Sequence, residues 1–227
     1  MQKKYVPLVV FLVALLVFAA HMGARAVLAE PAFTYAQEKR IYLTFDDGPS
    51  TVVTGRVLDI LKRENVRATF FIVSDRAHGR EETLRRIVRE GHTVGVHSAT
   101  HDYASIYASD EALLADVNEC AQLIRRVTGV VAHVYRFPGG GSAHRERQTR
   151  LLQERGYRVV SWNAVCGDEE IRGADADTLV AESVRTAGTR ANVVLLLHDS
   201  APHKATAQAL PAIIEHFRAQ GYTFCAY

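Results

Sequence analysis

The strongest constraint on the fold is a repeated alternation. From Ile41 onward, short β-branched or aromatic runs take turns with stretches of helical periodicity, separated by short polar or glycine-containing turns. The expected strands are Ile41–Asp46, Ala68–Ser74, Thr93–His97, His133–Phe137, Val159–Val165, Val193–His198 and Tyr222–Tyr227. The expected helices are Val52–Asn65, Glu81–Glu90, Asp110–Thr128, Glu146–Arg155, Asp177–Ala187 and Thr206–Gln220. In Asp110–Thr128, Leu113, Leu114, Val117, Ala121 and Ile124 share one face, and Gly129 is a stop signal. About seven strand–helix units with short connections predict an α/β chain with a mostly parallel sheet and helices outside. The 227 residues suit one sizeable core, and no repeat or long linker divides the body.

In such a fold, functional groups gather at the carboxyl ends of the strands. Asp46-Asp47, His97 to His101, Arg136, Asp168 and His198-Asp199 each follow an apolar run. Ile41–Phe45 reads as a buried strand stopped by Asp46-Asp47-Gly48-Pro49. With Gly48 relaxing the backbone, both carboxylates can reach one cavity. Two buried carboxylates repel unless a cation joins them, which suggests a metal for one and proton transfer for the other. The alternative is a solvated turn. His97-Ser98-Ala99-Thr100-His101 has the spacing that brings two imidazoles onto one face of a helical turn, where they can share a metal. Two His and one carboxylate leave coordination sites open, as a catalytic ion requires, and they suit zinc, with cobalt, iron or nickel as alternatives.

The formal net charge is +2, and Lys3, Lys4 and Arg25 supply three positive charges in a first 29 residues without an acid; removing them leaves −1. A body of that charge is not expected to bind nucleic acid. The same segment reads as targeting: Lys3-Lys4, the uncharged run Val6–Ala20, then Val27-Leu28-Ala29 as a cleavage site. Residues 1–29 are expected to be a signal peptide or an uncleaved anchor, the only expected link to a membrane. Residues 30–227 would then be an exported catalytic domain. Cys120, Cys166 and Cys225 form no disulfide framework and read as small hydrophobes.

Thr44-Phe45-Asp46-Asp47-Gly48-Pro49, His97 to His101, Arg136-Phe137-Pro138, Ser161-Trp162-Asn163 to Gly167-Asp168, and Leu196-Leu197-His198 follow one another in an order and spacing that resembles the polysaccharide deacetylase family. The resemblance runs from about Ile41 to the end. It implies a distorted (β/α) barrel and metal-dependent removal of acetyl groups from N-acetylated polysaccharide. It implies Asp47, His97 and His101 as ligands of one divalent ion. Asp46 would be the base that takes a proton from the attacking water, and His198 the acid that protonates the leaving amine. Arg136 would orient the base, Asp168 would orient and tune the acid, and Leu196 would line the pocket for the acetyl methyl. Pro138 and Tyr103 are further candidates for contact with the sugar. Gly139, Val165, Cys166 and Glu169 depart from the family pattern in the groove walls. Peptidoglycan is the expected polymer, with chitin-like glycan the other N-acetylated choice. An O-acetyl esterase of the acetylxylan type and a carbohydrate-binding domain without catalysis are the rival readings.

Several residues carry plainer expectations. His78, His92 and His144 lie in polar stretches and read as solvated. Trp162 reads as core, His203 as a surface loop, and Asp199 as a turn residue or a support for its neighbour.

Overall fold

The computed structural model describes residues 38–141 and 145–227. The leader and cleavage-site readings, and His144, lie outside them. The strands are β1 (Arg40–Gly48), β2 (Thr69–Val73), β3 (Thr93–Ser98), β4 (Val134–Tyr135), β5 (Arg158–Val159), β6 (Ala164–Val165), β7 (Asn192–His198) and β8 (Thr223–Cys225). The helices are α1 (Val53–Glu64), α2 (Ser74–Ala77), α3 (Glu81–Arg89), α4 (Tyr103–Ile106), α5 (Asp110–Thr128), α6 (Glu146–Gln153), α7 (Ala176–Ala187) and α8 (Lys204–Ala219).

Every strand pairing is parallel, and the main path runs β5-β4-β3-β2-β1-β7-β6. β8 pairs with the first residues of β1, Arg40 to Tyr42, below the point where β2 joins at Thr44. All carboxyl ends therefore open on one side. β1 lies in the middle of the path, paired with β7 from Arg40↔Asn192 to Asp46↔His198. That register sets Asp46 and His198 side by side at the ends of neighbouring strands.

The expected strand Val159–Val165 is broken in two. β5 pairs with β4 at one edge of the sheet, and β6 pairs with β7 at the other. Only Val160–Asn163 join them, and a chain spans about 3.5 Å per residue at most. The two edges must therefore come close, which forces the sheet to curl. Val160 N donates to Tyr135 O at 2.9 Å, and Asn163 N donates to Val194 O at 3.1 Å, so the bridge is bonded to both edges. This is the distorted barrel that the motifs imply, with a short, non-strand bridge where one continuous strand was expected.

Strand alternation divides the core. Ile41, Leu43 and Phe45 of β1, with Phe70 and Ile72 of β2, face the helices in the main apolar cluster. Phe71, Val134 and Val160 face inward, with Tyr227 packed on them. Gly95 of β3 lets the inner layer close, because a Cβ there would meet Phe71 Cδ1 at 2.6 Å and the Val134 carbonyl at 3.1 Å. Cys120 and Cys166 are buried free thiols and Cys225 is partly buried, as small hydrophobes would be. His92, expected in solvent, is buried: its Nδ1 accepts from Ala68 N at 3.2 Å, and burial pushes its pKa down to about 4. No described helix is long and apolar enough to cross a membrane.

Gly95→Ala should overpack this layer and cost about 1–3 kcal/mol. Urea unfolding followed by circular dichroism checks the loss, and an unchanged midpoint would contradict the packing.

Candidate active site

β1 ends in two adjacent carboxylates that reach one cleft because Asp47 itself takes a left-handed conformation, φ 75°. The relaxation expected of Gly48 falls one residue earlier. Gly48 serves close approach instead, since a Cβ would collide with the Asp199 carboxyl group. Asp47 Oδ2 faces Arg76 Nη1 at 3.4 Å, and the same nitrogen donates to the Asp47 carbonyl at 2.8 Å. Asp47 Oδ1 is turned the other way, toward His101 Nε2 at 3.1 Å and His97 Nε2 at 3.6 Å.

His97 and His101 meet there without a helical turn. His97 lies in β3, and His101 follows on an irregular turn with φ 63°. Asp116 of α5 shapes that turn. Its Oδ1 accepts from Ser98 Oγ at 3.0 Å, Ala99 N at 3.0 Å and Thr100 N at 3.3 Å, and Ser98 Oγ accepts from His101 N at 2.8 Å. Sequence reading missed Asp116, which stands on the expected buried stripe of α5 one residue before Val117. A carboxylate on that stripe was the available signal.

The donor set fits a divalent ion. Asp47 Oδ1 is buried and makes no hydrogen bond, although two imidazole nitrogens approach it. Three groups that converge without bonding one another point at a common centre. His97 Nδ1 lies 2.8 Å from the Arg136 carbonyl, which can only accept, so Nδ1 carries the proton and Nε2 offers its lone pair. Burial lowers the His97 pKa and keeps the ring neutral. Burial alone would raise the Asp47 pKa, but His101, His97 and Arg76 outweigh it and hold the carboxyl well below its usual range.

Asp46 sits beside this centre. The Arg136 guanidinium, fully buried, donates through Nη1 to Asp46 Oδ1 and to Thr44 Oγ1, each at 2.8 Å. Nη2 donates to the Ser161 carbonyl at 3.3 Å, and the Arg136 side chain lies over the Phe71 ring at 4.3 Å. On the opposite side, His198 ends β7. Asp168 accepts from His198 Nδ1 through Oδ1 and from His198 N through Oδ2, both at 2.8 Å. Thr206 Oγ1 donates to Asp168 Oδ2 at 2.7 Å. Burial would lower the His198 pKa. The Asp168 hydrogen bond and charge, helped by Asp46 and Glu169, reverse that and lift it to about 9.

The cleft has a volume of about 200 Å³. Asp46, Asp47, His97, His101 and His198 lie at its floor, with Leu196, Tyr103, Gly139, Trp162, Glu169 and Glu170 around them. Leu196 and Tyr103 both line the cleft. Pro138 is buried, its carbonyl accepting from Tyr107 Oη at 2.7 Å, and Gly139 lines the cleft in its stead. Trp162 corrects the core expectation: it is half-buried and forms part of the wall. Asp199 is fully buried, accepts from Thr54 Oγ1 at 2.6 Å, and burial raises its pKa to about 7.

The family model for polysaccharide deacetylase matches residues 34–160. The chain belongs to the polysaccharide deacetylase family. A peptidoglycan-N-acetylglucosamine deacetylase from Bacillus cereus is 32% identical over 203 residues, 88% of this chain and 73% of that protein. YheN from Bacillus subtilis is 33% identical over 192 residues, 82% of this chain, and the chain spans 66% of its length. The catalytic domain of peptidoglycan N-acetylglucosamine deacetylase from Eubacterium rectale superposes with a TM-score of 0.75 at 33% identity, covering 83% of this chain and 88% of that one.

Two expectations follow for this deacetylase-family site. Asp116→Ala frees the turn that carries His101, so metal affinity should fall about 10–100-fold, read by competition with a chelating dye; unaltered affinity would remove Asp116 from the ligand support. Asp168→Asn removes the group that lifts His198. The His198 pKa should fall from about 9 toward or below the free imidazole value of about 6.5. The basic limb of the pH–rate profile should move down with it, and a limb that stays in place would show that Asp168 does not tune His198.

Proposed function

We propose that this chain is an exported, metal-dependent polysaccharide N-deacetylase that hydrolyses N-acetyl groups of peptidoglycan. The observation that carries the reading is the buried, unbonded Asp47 Oδ1 facing two imidazole Nε2 atoms, with a carboxylate on one flank and an imidazole of raised pKa on the other. Asp47, His97 and His101 would hold the ion, and zinc suits two imidazoles and a carboxylate. When bound, the ion supplies Lewis acidity that polarises the amide carbonyl and lowers the pKa of the attacking water.

This chain's own groups divide the proton transfers. Asp46, fixed by Arg136, takes the proton as water attacks the carbonyl carbon. His198 Nε2, opposite it in the sheet register, gives a proton to the sugar nitrogen as the C–N bond breaks. Acetate and a free amine result. Leu196 offers an apolar surface for the methyl group, and Trp162 and Tyr103 offer faces for a sugar ring.

Peptidoglycan is favoured by the Bacillus cereus and Eubacterium rectale proteins, which are named for that activity. Export rests on the leader pattern of residues 1–29, and it fits a cell-wall polymer. N-terminal sequencing of the cell-wall fraction should find a start near Glu30, and an intact Met1 in membranes would mean an anchor.

Acetate release from purified peptidoglycan should be measured beside chitooligosaccharides and an O-acetylated xylan. Peptidoglycan should give the highest kcat/KM, and a chelator should abolish turnover until metal is restored. Asp46→Asn should lose about 100-fold or more in kcat while keeping its metal by elemental analysis. A rate that resists chelator, or a preference for the ester, would overturn the reading.

A further inference from the structure

At the edge of the cleft, reaching into the neighbouring pocket that His203 lines, lies a second convergent donor set that shares no residue with the first. Glu169, His198 and His203 each offer one ligand atom, and these atoms lie within 4.8 Å of one another. Glu169 follows Asp168 on the loop after β6, His198 ends β7, and His203 stands just before α8. The two imidazoles stack, with centroids 5.1 Å apart and planes 30° apart.

Their hydrogen bonds are arranged as metal-binding imidazoles arrange them. His198 Nδ1 is held by Asp168, and His203 Nδ1 by Ser200 Oγ, both at 2.8 Å. Neither Nε2 makes a hydrogen bond within the described residues. A ring fixed through one nitrogen with the other free is a ligand in waiting. His203 Nε2 is 3.7 Å from Glu169 Oε1, too long for a hydrogen bond, so the two groups face each other without bonding. His203 is largely covered, and burial keeps its pKa below the ordinary imidazole value, so the ring is neutral near neutral pH; the Ser200 hydroxyl can accept from Nδ1, which lets Nε2 carry the lone pair. The Glu169 side chain is about half exposed and can swing to close the remaining distance. Two imidazoles and a carboxylate suit zinc.

We propose that Glu169, His198 and His203 form a second, inhibitory site for a zinc-type ion. Binding would displace the His198 Nε2 proton into solvent and put the nitrogen lone pair into a metal bond. The amine would then lose its proton donor. The inhibitory half of this inference rests on the reading of His198 as the acid; the metal site itself does not.

The test starts with the protein holding one equivalent of zinc. Zinc chloride is added, bound metal is counted by equilibrium dialysis with elemental analysis, and acetate release is followed in parallel. The wild-type chain should take a second equivalent, and its rate should fall about 100-fold or more as that site fills, the usual worth of a general acid. His203→Gln should stop at one equivalent and hold its own one-equivalent rate in excess zinc; Glu169→Gln should bind the second ion more weakly. Circular dichroism verifies that both variants are folded. A single equivalent in the wild type, or a second one that survives His203→Gln, overturns the site. A second equivalent lost in His203→Gln but without effect on the wild-type rate overturns the inhibition and, with it, His198 as the acid.

Discussion

One buried residue, Arg136, orders the floor of the cleft. A guanidinium with no exposed surface must find anions or carbonyls, because an uncompensated buried charge is expensive. Its side chain meets most of that demand through Nη1 and Nη2, with Asp46, Thr44 and the Ser161 carbonyl, while Nε is left without a partner among the described residues. Its main chain does equal work: the amide donates to Val96 O at 3.0 Å, and the carbonyl receives the Nδ1 proton of His97. One residue thus aims Asp46 and fixes the tautomer of His97. Truncating it would leave Asp46 buried without a hydrogen-bond partner, so the geometry of Asp46 and fold stability are coupled at this position.

The two flanks of the site differ in charge for reasons that trace to single partners. Asp46 has a fixed cation beside it, and His198 has a fixed anion. The His198–Asp168 pair also contributes to stability. His198 has a folded pKa of about 9, above its unfolded value, so its share is complete below about pH 6.5 and is lost as pH rises through about 9. Asp168 is shifted below its usual range, so its share is lost only as the solution becomes acidic. The pair therefore holds across the neutral range in which the amide would be hydrolysed.

The longer strands and helices, the parallel sheet and the residues gathered at the cleft were legible in the sequence because each rests on local pattern. Ile41–Phe45 announces a buried strand, and the residue that follows each apolar run points to the open end of the barrel. What escaped was set by tertiary partners. The Val159–Val165 run looks like one strand, and only pairing with both sheet edges breaks it. His97 and His101 suggest a helical turn until Asp116, fifteen residues beyond His101, gathers the amides into a different one. Trp162 and His92 were each assigned to the wrong side of the surface, because the flanking residues of a single aromatic ring do not report the loop that covers or uncovers it.

The bridge Val160–Asn163 has a consequence for how such a molecule can change. It is the seam along which the barrel shuts, it carries the carbonyl that anchors Arg136, and it presents Trp162 to the groove. Closure, alignment of Arg136 and Asp46 and the shape of the cleft wall are thus written into four consecutive residues. A lineage that remodels this wall to accept a different glycan cannot do so by loop exchange alone. It must keep the seam short enough to join both edges, or give up the grip on the arginine.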